Sequence, residues 1–159
     1  MATRRAHLAM PLGAPEQCCC IDCRNFAAAR HLAYPPEALA LFSELGIRHD
    51  RESEVGAAIS LPSGRLLYSG WFHFVGRVTG GPQPRRLVGH IPAGNGLTGG
   101  IVHTLEHRRL TDTFALGLIE KGDLLPLSFG DQSVVQLEFT TEVPWVLSES
   151  PDSSPRELG

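Results

Sequence analysis

The spacing of hydrophobic positions changes once along the chain. Up to Gly46 the apolar residues recur at three- and four-residue intervals, and from Val55 onward they alternate. In the first half, Arg24-Asn25-Phe26-Ala27-Ala28-Ala29-Arg30-His31-Leu32 reads as a helix with Asp22 as its N-cap. Tyr34-Pro35-Pro36 ends it, because proline cannot continue a helix. A second helix starts with Pro36 in its first turn and places Leu39, Phe42 and Leu45 on one face, with Gly46 as C-cap. Residues 48–54 are charged and predict a surface turn.

Val55, Ala57 and Ile59 then predict a strand, followed by a turn at Pro62-Ser63-Gly64. Residues 65–79 contain Leu66-Leu67-Tyr68-Ser69-Gly70-Trp71-Phe72-His73-Phe74-Val75, apolar on both faces, which predicts an interior strand. Residues 80–100 are rich in glycine and proline and read as a long loop, and residues 101–110 as a short helix. Residues 113–120 and 124–129 predict strands around a Lys121-Gly122-Asp123 turn. In residues 134–143, Val135, Leu137, Phe139, Thr141 and Val143 alternate with Gln136, Glu138, Thr140 and Glu142, the pattern of a strand with one wet face. The fold class is therefore α+β, with an N-terminal cysteine-rich helical segment packed on a mainly antiparallel sheet. Residues 1–17 are expected to be a flexible arm, residues 18–147 a single domain and residues 148–159 a disordered tail.

Composition narrows the class. At 159 residues one domain is the default, and 42% hydrophobic with 19% charged residues suits a globule with a real core. The net charge of −3 is unevenly spread: residues 111–159 hold nine acids against only Lys121 and Arg156. A basic stripe for nucleic acid is missing beyond the hints at Arg85-Arg86 and Arg108-Arg109, so no nucleic-acid partner is expected. No apolar run of about 18 residues is present, and Leu8-Ala9-Met10-Pro11-Leu12-Gly13 is too short for an export signal. The expectation is a cytoplasmic protein with no membrane partner, leaving a protein as the partner class to look for.

All four cysteines lie within six positions, Cys18, Cys19, Cys20 and Cys23. A disulfide framework spreads its cysteines, whereas reduced cytoplasmic thiols packed together point to a metal or a reactive thiol. Cys20 and Cys23 have the C-x2-C spacing that supplies two zinc ligands from one turn, and Cys18 adds a third. Cys19 points away from its neighbours in any extended conformation. The fourth ligand is sought among His7, His31, His49 and His73, with His73 placed in the set. Small buried thiols are the simpler alternative, but dense clustering argues against it. A thiol redox pair of Cys20 and Cys23 at a helix N-terminus is a further alternative, though the usual redox motif follows a strand.

His103-Thr104-Leu105-Glu106-His107 matches H-x-x-E-H, a zinc hydrolase pattern that needs a helix to put both histidines on one face. Seven histidines make a chance match easy. Trp71 and His73 share a strand face with Arg77, an arrangement suited to an aromatic-walled pocket with one titratable group.

Cys18-x-Cys20-x2-Cys23-Arg24-Asn25-Phe26, Tyr34-Pro35-Pro36-Glu37, Leu45-Gly46-Ile47, Gly70-Trp71-Phe72-His73-Phe74-Val75-Gly76 and Glu142-Val143-Pro144-Trp145-Val146-Leu147 together resemble a group of bacterial proteins common in actinobacteria. The resemblance covers most of residues 18–147. That group has no assigned activity, so no catalytic residue is carried over. It implies that Cys18, Cys20 and Cys23 act together and that Cys19 stands apart. The expectation is a non-enzymatic binding or interaction protein with a structural zinc site. The alternatives are a metal-dependent hydrolase using His103, Glu106 and His107, and a thiol redox protein using Cys20 and Cys23.

Overall fold

The computed structural model describes residues 1–18, 20–56, 59–80, 86–91, 100–105, 107–120 and 125–150, with the backbone alone for 86–91 and 100–105. Four helices, α1 (Ala2–Ala9), α2 (Ala14–Cys18), α3 (Ile21–Ala33) and α4 (Pro36–Leu45), precede a mainly antiparallel sheet. The strands are β1 (Glu54–Val55), β2 (Ile59–Ser60), β3 (Leu66–Val75), β4 (Arg86–Ile91), β5 (Gly100–Leu105), β6 (Arg108–Thr111), β7 (Phe114–Glu120) and β8 (Val134–Val143). Six of them form one sheet in the order β1-β3-β8-β7-β6, with β2 also on β3, and β4 pairs with β5 separately. The fold class is α+β, as the change of period predicts.

The core lies between α3, α4 and one face of this sheet. Alternation in β3 and β8 sends Tyr68, Phe72, Val135, Leu137 and Phe139 to that face, all fully buried. Phe26 of α3 and Phe42 of α4 meet them. Tyr34, which follows α3, sits at the centre. Its ring centroid lies 5.3 Å from Phe42, 5.5 Å from Phe139 and 5.9 Å from Phe72, with the first two contacts edge-on. The chain turns out of α4 at Gly46, whose φ of 73° is left-handed and whose N–H bonds back to the helix carbonyls. Gly70 has a different reason to lack a side chain. A Cβ there would stand 2.5 Å from the Glu54 carbonyl and 2.8 Å from the Phe139 ring, so β1 could not lie against β3.

Several expectations need correcting. Residues 1–17, expected to be a loose arm, contain α1 and most of α2. Helix formers such as Ala2, Arg4, Arg5 and Ala6 favour α1. Its buried face is Thr3, Ala6 and His7, followed by Met10. Two of these are polar, which hides the helical stripe from a hydrophobicity pattern. They do specific work at the edge of β3, beyond the reach of β1. The Val75 N–H donates to Thr3 Oγ1 at 3.0 Å, and His7 Nε2 meets the His73 carbonyl at 2.8 Å. One turn of helix thus satisfies a strand edge that would otherwise be open. Met10 and Ala6 form a second small cluster with Phe129 on this side of the sheet.

The charged turn at residues 48–54 is only partly at the surface, because Glu52 has no exposure at all. Residues 101–110 are strand rather than helix, covering β5 and β6, and the expected loop at 80–100 contains β4 and the first residue of β5. Ile101, Val102 and Thr104 are β-branched, and the antiparallel pairing of β5 with β4 satisfies their backbone. Residues 127–129 form a 3-10 turn instead of a strand, and β7 pairs with β8 directly. Residues 81–85, 92–99 and 121–124, like Arg85 and the Lys121 turn within them, lie outside the described residues. The second face of β8 is polar without being fully wet: Gln136 is buried and donates to Glu138 at 2.9 Å. Of the expected tail, residues 148–150 are described, and Glu149 pairs with Arg24 at 2.8 Å.

Both ring nitrogens of His7 are engaged, since Nδ1 accepts the Arg48 N–H at 3.1 Å. This requires the neutral imidazole with its proton on Nε2. Burial holds the His7 pKa below its ordinary 6.5, against the opposing effect of its backbone bonds and Asp50. A histidine with a depressed folded pKa contributes full stability above the unfolded value and loses it as pH falls below it. Thermal melts should therefore show the wild type losing more stability than His7→Gln between about pH 7.5 and 5. Equal losses in the two proteins would show that His7 is not the group responsible.

Candidate metal centre

The cysteines sit where α2 gives way to α3. Cys18 is the last residue of α2, Cys20 is the N-cap of α3 and Cys23 lies in its first turn. The helix therefore starts with Cys20 as its N-cap, two residues ahead of the Asp22 expected there. The Arg24 N–H closes the first helical turn on the Cys20 carbonyl at 2.9 Å. This turn brings the three sulfurs within 4.8 Å of one another, close enough to hold a metal ion. Tetrahedral thiolates on zinc stand ~3.8 Å apart, given Zn–S bonds of about 2.3 Å, so the side chains need to contract only slightly.

The three thiols are not equivalent. Cys18 and Cys20 are exposed, whereas Cys23 is buried. The Cys18 thiol is held below its ordinary pKa, first by the backbone N–H of Cys20 and then by the thiols of Cys20 and Cys23. Burial pushes the Cys23 thiol well up, and its contacts with Cys18 and Cys20 add to the rise. Between Cys18 and Cys23, the negative charge therefore belongs on Cys18. A cation that bound there would displace the proton from Cys23 as well.

What brings Cys18 to α3 is a second group of residues, which pattern reading misses. Arg30 of α3 reaches Glu16 of α2 at 2.6 Å through Nη1, and donates from Nε and Nη2 to the two oxygens of Glu52 at 2.9 and 3.1 Å. The Tyr34 hydroxyl donates to Glu52 Oε1 at 2.8 Å, and the Ala14 N–H donates to the Glu52 carbonyl at 2.9 Å. Burial raises the Glu52 pKa, while Arg30 and Tyr34 act to lower it. The guanidinium fork on both oxygens is the geometry of an ionised carboxylate, and we take Glu52 as charged. Arg30 and Glu52 stand 22 positions apart and Arg30 and Glu16 stand 14 apart, so no local pattern pairs them.

Among the described residues no histidine, aspartate or glutamate joins the three sulfurs. His73, the histidine expected in the set, is on the face of β3 turned away from α3. Its Nδ1 bonds with Ser53 Oγ at 2.8 Å, and its ring packs on Phe129. His7 is committed to the β3 edge, and His31 and His49 stand outside the group as well. Cys19 lies outside the described residues. The helix needed by the H-x-x-E-H pattern is absent: His103 is in β5, and His107 follows that strand just before β6, which belongs to the other sheet. His107 Nε2 is 3.5 Å from Glu138 Oε2, an interaction that reads as local pairing. Glu106 lies outside the described residues.

Compared with protein families, with curated proteins and with solved structures, the chain matches none of them. No helix among the described residues is long and apolar enough to cross a membrane.

Two measurements test this geometry. Glu52→Gln removes the charge that Arg30 faces in a buried setting, and should cost about 3 kcal/mol in denaturant unfolding. A loss below about 0.5 kcal/mol, the range of ordinary surface changes, would remove the pair from its structural role. In metal-free protein, iodoacetamide should label Cys18 well before Cys23, as peptide mapping by mass spectrometry would show. Equal labelling rates would contradict the asymmetry.

Proposed function

We propose that Cys18, Cys20 and Cys23 bind one zinc ion, and that the protein is a non-enzymatic binding or interaction module clasped by that metal. The observation that carries the proposal is the meeting of three sulfurs from two helices within 4.8 Å. Thiolates suit zinc among the common divalent ions, and a reduced cytoplasmic setting keeps them available. The metal's role is structural in this proposal, because it ties the end of α2 to the first turn of α3 at a point where only residues 19 and 20 connect the two helices. The partner class is a protein. The uneven charge and the lack of a basic stripe argue against nucleic acid.

One observation favours a second reading. An exposed thiol of lowered pKa beside a buried thiol of raised pKa is also the asymmetry of a thiol-exchange pair, and here Cys18 rather than Cys20 would attack. A hydrolase at His103, Glu106 and His107 has no comparable support.

Metal content by native mass spectrometry, beside thermal melts, separates these readings. Wild type should carry one zinc per chain. Cys20→Ser and Cys23→Ser should lose it and melt several degrees lower, since ~1–2 kcal/mol is enough for that in a domain of this size. Cys19→Ser should keep the metal. Wild type prepared without chelator but carrying no metal would leave thiol exchange as the better account, and metal loss in Cys19→Ser would overturn the ligand assignment.

A further inference from the structure

We propose that a cleft at the end of β3 and β8, remote from the cysteines and independent of any metal there, binds a small carboxylate-bearing molecule with an apolar body. The cleft has a volume of about 590 Å³ and is lined by His73, Arg77, Glu120, Leu125, Gln132 and Ser133. That is within the range of small-molecule sites, roughly 300–1,000 Å³. Its floor and rim differ in kind. His73 is buried, and Ser53 fixes its imidazole through Nδ1 at 2.8 Å. The rim residues Arg77 and Ser133 are exposed. The floor of the cleft thus presents a fixed imidazole beneath an open mouth.

The rim chooses the ligand. Arg77 directs Nε and Nη2 to the Ser133 hydroxyl, both at 3.4 Å, which is long for a hydrogen bond. Among the described residues it makes no ion pair, although Glu120 lines the same cleft. Glu120 accepts instead from the Val78 N–H at 2.9 Å, which holds the chain just beyond Arg77 against the end of β7. The Gly76 N–H donates to the Ser133 carbonyl at 3.0 Å, so the two walls are fixed to each other by backbone. A planar guanidinium fork on a fixed backbone, with two donors held only by a weak hydroxyl contact, matches a planar carboxylate. Leu125, which is 42% exposed, offers apolar surface for the rest of the molecule.

Benzoate is a suitable probe, with benzylamine and inorganic phosphate as the opposite-charge and tetrahedral arms. Each is titrated into the isotope-labelled full chain while the amide resonances of Val78, Gln132 and Ser133 are followed by NMR. Benzoate should shift these saturably. In Arg77→Met the affinity should fall about tenfold or more, the size of one charged hydrogen-bonding contact. Arg4→Met, an exposed arginine change on α1, should leave binding unaltered. Any of three results overturns the proposal: no saturable shift with benzoate, undiminished binding in Arg77→Met, or benzylamine or phosphate binding as tightly as benzoate.

Discussion

The contact on which the rest of the molecule depends is the hydrogen bond between the Tyr34 hydroxyl and Glu52. A carboxylate with no exposure is tolerable only when its oxygens are filled, because an isolated buried charge costs several kcal/mol. Arg30 and Tyr34 fill them. Tyr34 is at the same time the ring around which Phe42, Phe72, Phe114 and Phe139 gather, so the aromatic core and the ionic network share one side chain. The backbone of Glu52 holds Ala14, and Arg30 holds Glu16, which places α2 beside α3. The approach is close: a Cβ on Gly13 would stand 2.8 Å from Glu52 Oε2. Cys18 comes within reach of Cys20 and Cys23 as a consequence of this docking. The thiol cluster is built on top of the ion network, and any metal bound there adds to an arrangement the network already favours.

The second constraint is the exposed edge of β3. β1 and β2 are two residues long each and cover only part of it. Beyond Trp71 the edge passes to α1, where Thr3 and His7, four residues apart on one helix face, take a strand donor and a strand acceptor. His7 also ties the Arg48 amide to this edge. The helix therefore protects a sheet edge and anchors the turn that carries Glu52, which links the two constraints through a few residues of chain.

Much of this was legible in the residues, and several of the parts that were not share a cause. α4, with Pro36 in its first turn and Gly46 as its cap, follows directly from local chemistry, as do β3 from its continuous apolar run and β8 from its alternation. Cys18, Cys20 and Cys23 were legible as a group because their spacing is short enough for one helical turn to bring them together. Several of the departures fall where polar groups are buried. Thr3 and His7 concealed α1, and Glu52 made a turn look like surface. Hydrophobic patterning assigns polar residues to solvent, and it fails wherever a distant partner pairs with them. The place of His73, apart from the three sulfurs, was hidden for a related reason. A histidine in an aromatic strand announces chemistry, but only the alternation of β3 relative to α3 decides on which side of the sheet that chemistry falls.

The cysteine turn is also coupled to the end of the domain. Asn25, two residues beyond Cys23, is fully buried and uses its whole amide. Nδ2 donates to the Tyr68 hydroxyl and the Pro144 carbonyl, and Oδ1 accepts the Val146 N–H at 2.8 Å. Tyr68 in turn donates to the Asp22 carbonyl, inside the first turn of α3. The segment after β8 is thus held by the same turn that presents Cys23, with Arg24 and Glu149 adding an exposed pair beside it. Exposed pairs contribute little, so the buried amide of Asn25 carries the docking. A metal that fixes the first turn of α3 therefore fixes Asn25, and through it residues 144–146. The polar residues flanking the cysteines have a structural purpose of their own, and the thiol cluster stands at the junction of α2, α3 and the segment 144–146 that follows β8.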